Sequence, residues 1–85
     1  MNHAEMGQVL AKCALFDNRA VTDNEVVAWH EAVGHLNFDD AMQAVTRYYA
    51  HSKDRMWPVD LTESVTALRS RRAAAIARPP AAEGV

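Results

Sequence analysis

The stretch 21-VTDNEVVAWHEAVGHLNFDD-40 carries the boundary signals of two helices, and its reading decides how the rest of the chain is interpreted. Thr22 is followed three residues later by Glu25, an arrangement in which the hydroxyl caps an early amide while the carboxylate reaches back. Val21 and Val26 stand where a hydrophobic staple would close over that cap. Val26, Trp29 and Val33 then recur at helical spacing on one face. A helix is predicted from residue 23, with Gly34 at the place where a left-handed C-terminal residue would end it. Asn37 and Asp40 repeat the capping pattern and start another helix, with Asp39 and Asp40 favourably placed at the positive end of its dipole. Its inner stripe is Phe38, Ala41, Met42, Val45 and Tyr49, and Tyr48 falls at the stripe's edge.

The same stretch contains His30-Glu31 and His35, which raises the question of a zinc hydrolase site. A metalloprotease helix presents two histidines four residues apart, so that both imidazoles leave one face toward the metal. Here the spacing is five, which at about 100° per residue separates the two side chains by roughly 140°. One helix cannot deliver this pair to one ion. The chain's four histidines and one cysteine show no zinc-finger or zinc-ribbon spacing, so no metal and no cofactor is expected.

Outward from the central stretch, Asn2 and Glu5 form a further capping pair. Met6, Val9, Leu10, Cys13 and Phe16 lie on one helical face, predicting a first helix over residues 3–16 with Phe16 in the core. Leu15 points the other way, either exposed or covered by something else. "DNRAV" makes the turn into the second helix. After the third helix, "HSKDRM" is a polar connection and "WPVDL" opens a fourth helix, because proline disfavours helix at Trp57 yet suits a first turn at Pro58. Leu61, Val65 and Leu68 supply its stripe. Beyond Arg72, "AAAIARPPAAEGV" has no periodic apolar face, so residues 73–85 are expected to form a frayed or disordered tail behind a four-helix domain over residues 1–72. The expected fold class is all-α, with no strand candidate and no internal repeat.

Composition agrees with a small globular domain: 49% of the 85 residues are apolar and 24% charged, too balanced for a disordered chain. There is no run of about 18 apolar residues and no basic leader before an apolar stretch, so a cytoplasmic protein is expected. The net charge of −2 hides an asymmetry: residues 1–45 carry seven acids against Lys12 and Arg19, whereas residues 46–85 carry seven bases against four acids. Such polarity steers partners without naming one.

Among residues that could carry function, Cys13 sits in an apolar stripe, where an inert thiol is the usual case, and Lys12 alone does little to activate it. No enzyme is expected. Trp29 belongs to the inner face of its helix, while Trp57 is left open between a core plug and a partner contact. Arg69, Arg71 and Arg72 cluster where cations complement a helix C-terminus, and phosphate neutralisation is the alternative use. The second and third helices are acidic, which argues against a recognition helix for duplex DNA.

Taken in order, Val21-Thr22 with Glu25, the Trp29-His30 pair, "LNFDDAMQAV", Tyr49, Ser52, and Pro58 with Leu61 resemble the N-terminal domain of phage replisome-organiser or helicase-loader proteins, which handle a replicative DnaB-type helicase. The likeness covers about residues 21–61. It implies an all-helical adaptor in a bacterial host that binds a replication protein and aids or inhibits it. Tyr48, Trp57, Arg69, Arg71 and Arg72 are then the expected contacts. Members of that family join the domain to a long polar C-terminal half, in place of which this chain has only a short tail, so a stand-alone adaptor or an inhibitor of a host factor is expected. Leu15-Phe16 at the end of "KCALF" also resembles the tail of peptides that bind sliding clamps, although Lys12 stands where a glutamine is expected. A small non-specific nucleic-acid-binding protein is the remaining alternative.

Overall fold

The computed structural model describes residues 1–77, and they form an all-α domain of four helices: α1 (His3–Asp17), α2 (Asp23–Val33), α3 (Phe38–His51) and α4 (Pro58–Ala77). Each begins at a sequence-encoded cap. The Asn2 carboxamide oxygen accepts from the Glu5 amide at 2.8 Å while Glu5 accepts from the Asn2 amide at 3.0 Å, a complete capping box. Thr22 caps α2 through the Glu25 amide at 3.2 Å and Asn37 caps α3 through the Asp40 amide at 3.0 Å. For α4, the Trp57 amide donates to Asp60 Oδ2 at 2.8 Å.

α1 is flanked by α2 and α3, and α4 by α3 and α2, so the helices form a closed square with no packing along either diagonal. Its centre is filled by Met6, Val9, Leu10 and Cys13 of α1, Trp29 and Val33 of α2, Ala41, Ala44 and Val45 of α3, and Leu61 and Val65 of α4. Met56, from the connection before α4, is also fully buried. No helix among the described residues is long and apolar enough to cross a membrane.

Three expectations are corrected. Phe16 is not core: it is 53% exposed on the last turn of α1, where the helix has already passed the core, and its ring stacks on Tyr49 at 4.9 Å. Gly34 is not left-handed, with φ −61° and ψ −19°. Its lack of a side chain matters for space, because a Cβ would collide with the His30 carbonyl oxygen and lie 2.8 and 2.9 Å from Cδ2 and Nε2 of the His30 ring. That ring is held there by Nε2 pairing with the Met1 carbonyl oxygen at 2.7 Å. The left-handed C-cap occurs instead after α1, at Asn18, with φ 58°. Finally, the helix does not stop at Arg72. Ala73–Ala75 are strong helix formers and no breaker comes before Pro79, so α4 runs on to Ala77 although Leu68 is its last buried residue. The remainder of the expected tail, residues 78–85, lies outside the described residues.

Candidate functional site

The chemistry-bearing residues gather where the C-terminal ends of α1 and α3 meet the connection between α3 and α4. Asp17, on the last turn of α1, accepts two bonds from Arg19 Nε at 3.0 Å each and one from Nη2 at 2.5 Å, with the Tyr49 hydroxyl donating to the same carboxylate. Arg19 Nη2 also donates to the Met56 carbonyl at 2.7 Å, and its guanidinium lies 5.3 Å from the centre of the Trp29 ring. The Tyr49 hydroxyl in turn accepts from the Met56 amide at 3.0 Å. Arg19 and Tyr49 thus hold the carbonyl and the amide of Met56, and Asp17 bonds both of these side chains. That anchors the connection and fixes the direction in which the next residue, Trp57, leaves it.

This clamp is buried, since the Arg19 side chain is only 1% exposed, and its polar groups compensate one another. Burial alone would push the Asp17 carboxyl upward, but the hydrogen bonds from Arg19 and Tyr49 and the Arg19 charge outweigh it and hold the carboxyl at about 2. Burial and the bond to Asp17 raise the Tyr49 phenol. Burial also pushes the Cys13 thiol up to about 11, outweighing the opposing pull of the Arg19 and Lys12 charges. A carboxylate that stays charged and a thiol that stays protonated are structural groups rather than acids or bases poised for turnover near neutral pH.

Around the clamp the surface is concave. An open groove of about 890 Å³ is floored by Phe16, Tyr49 and Ala50 and rimmed by His51, Lys53 and Arg55. A smaller one of about 210 Å³, between α3 and α4, is lined by Arg47, Tyr48, Ala67 and Arg71. His51 and Ser52 line both, so the two grooves adjoin at the end of α3. Trp57 stands beside them, 62% exposed, with the Arg55 guanidinium 5.9 Å from its ring centre and the 60%-exposed Val59 two residues on.

The expected contact residues therefore separate. Trp57 is a surface residue and not a core plug, and Tyr48 is half-buried in the smaller groove with Arg71. Arg72 is engaged within the fold, pairing with the nearly buried Asp40 at 2.6 Å and with Gln43 at 3.1 Å, and so ties α4 to α3. Arg69 is exposed and lines neither groove. The three arginines do not act as one patch: Arg71 lines the smaller groove about 100° round the helix from Arg72, which is taken up by Asp40 and Gln43. Leu15 is 83% exposed beside Phe16. His30 and His35 are not brought together: His30 faces Met1 and packs edge-on against His3, whereas His35 lies in the exposed turn after α2. Among the described residues there is no cluster of three or more potential metal ligands.

Sequence reasoning missed the clamp and the basic rim. "DNR" marks a turn, but nothing local distinguishes an arginine that folds back under Tyr49 from one in solvent. Lys53 and Arg55 looked like an ordinary polar connection until the clamp placed them beside exposed aromatic rings. Compared with known proteins, the chain matches no protein-family model, no curated protein and no solved structure.

Proposed function

We propose that this chain is a small, non-catalytic docking protein of the bacterial cytoplasm that binds a protein of the DNA replication machinery, with the replicative helicase as first candidate. The observation that carries the docking reading is Trp57: a large aromatic side chain, mostly exposed, on a connection that a buried ion pair holds in place. Tryptophan, tyrosine and arginine dominate interface energies, and an anchor that is already rigid loses little entropy on binding. Arg55 and Val59 lie beside it in the chain, and Tyr48 and Arg71 line the smaller groove between α3 and α4. The choice of partner rests on the likeness of residues 21–61 to helicase-loader domains, and the absence of an activated nucleophile or poised acid in the clamp agrees with a binding role.

Affinity isolation from the bacterial host with wild type and Trp57→Ala tests this reading. A replication protein retained by wild type and lost with Trp57→Ala is expected. Salt-sensitive binding to unrelated DNA with no protein partner would overturn it. A sliding clamp is the second candidate partner, favoured by the exposure of Leu15 and Phe16 side by side. Lys12, where such peptides have glutamine, is instead tied to the Met42 carbonyl at 2.8 Å, so this reading stands behind the first.

A further inference from the structure

The two grooves differ in charge from the rest of the molecule. Arg47 and Arg71 line one, Lys53 and Arg55 the other, and among the described residues none of the four is ion-paired. The one carboxylate among the residues lining the two grooves, Asp17, is already neutralised by Arg19. The lining of the two grooves is therefore cationic, on a chain whose net charge is −2. The acids Asp39 and Asp40 sit at the start of α3, about 20 Å from His51 for a helix of 14 residues, and Asp40, on the Arg71 side, is neutralised by Arg72.

We infer that these adjoining grooves receive an acidic peptide segment of the partner protein, with an apolar side chain against Phe16 and carboxylates on Lys53, Arg55 and Arg71. This rests on the docking reading and names the chemistry of what docks. The floor suits it because Phe16 stacks on Tyr49, whose hydroxyl is locked by Asp17 and Met56, so the platform is rigid before anything binds. The guanidinium rim suits it because arginine pairs with carboxylates in a planar, two-bond geometry. A single-stranded nucleic acid would use the same charges but needs successive free ring faces to stack its bases. Here Phe16 and Tyr49 stack on each other and Tyr48 meets Tyr49 edge-on, so the Phe and Tyr rings that line the grooves do not present successive free faces.

Selection of a random dodecapeptide library on the immobilised protein tests the inference, followed by anisotropy titration of the enriched peptide and of an oligothymidylate. Peptides rich in Asp and Glu around a Leu, Phe or Trp are expected, and their affinity should fall about tenfold or more in a Lys53→Gln/Arg55→Gln variant and in Phe16→Ala. The double variant Gln8→Glu/Asn24→Glu changes net charge by the same amount at exposed sites outside the grooves and should bind within about twofold of wild type. Equal weakening by both double variants would overturn the assignment, reducing it to net charge. Enrichment of neutral apolar peptides that still require Phe16 would overturn the acidic segment while leaving the docking reading intact. Tight oligothymidylate binding with no enriched peptide would overturn both.

Discussion

Replacing Arg19 by methionine keeps most of the side chain's volume and removes the charge that holds the clamp together. Three losses follow. Asp17 reverts from about 2 toward the ordinary 3.8, and at about 1.4 kcal/mol per pH unit this is worth roughly 2 to 3 kcal/mol at neutral pH. The Met56 carbonyl loses a buried hydrogen bond, about 1 kcal/mol, and the stacking of the guanidinium on Trp29 is worth about 0.5 to 1 kcal/mol more. The total of about 4 kcal/mol agrees with the cost of removing one partner of a buried pair. It is a large share of the roughly 4 to 13 kcal/mol expected for 85 residues. The pH dependence has a definite sign. A carboxyl depressed in the folded state contributes fully above its unfolded value near 4 and loses that contribution as pH falls toward 2, so wild type should weaken across that window and Arg19→Met much less. Urea unfolding followed by circular dichroism at pH 7 and pH 2.5 reads both effects. A change below about 0.5 kcal/mol at pH 7, or equal acid sensitivity in the two proteins, would refute the clamp as a determinant of stability.

The two tryptophans should divide cleanly in the same assay: Trp29→Ala is expected to cost about 3 to 5 kcal/mol and Trp57→Ala less than about 0.5 kcal/mol, and a reversal would mean the packing register is wrong. Gly34→Ala should destabilise by about 1 to 3 kcal/mol, since the added methyl must displace the His30 ring and the end of α2; a neutral result in thermal unfolding would show that this turn is free to shift. Cys13, raised to about 11, binds its proton more tightly when folded, so its contribution is complete below about pH 9 and disappears as pH rises toward 11. Between pH 8 and 10.5 wild type should lose about 2 kcal/mol more than Cys13→Ala, and its thiol should react with a disulfide reagent only on unfolding.

What could be read from the sequence was what is decided within a turn of helix. Asn2, Thr22 and Asn37 cap because each bonds an amide three residues on, and the stripes of α1, α3 and α4 follow from periodicity alone. Phe16 fits the α1 stripe, but a helical wheel does not reveal that what it meets at that turn is the ring of Tyr49, which leaves it 53% exposed. Gly34 was misread because a glycine after a helix serves equally for a left-handed backbone or for a close approach, and only the His30 ring position separates the two. The arginines of α4 looked like one patch in sequence, yet Arg72 is committed to Asp40 on α3. The basic grooves were invisible for the same reason: Arg47, Lys53, Arg55 and Arg71 are brought together only when Arg19 fixes Met56, and that bond spans 37 positions.

The most direct test of the docking account is a calorimetric titration of the purified replicative helicase of the host with this protein at physiological salt, using wild type and Trp57→Ala. Saturable binding by wild type, weakened about tenfold or more by Trp57→Ala while circular dichroism and the urea midpoint stay unchanged, is the predicted result. Absence of heat with wild type, or identical binding by the two proteins, would contradict it.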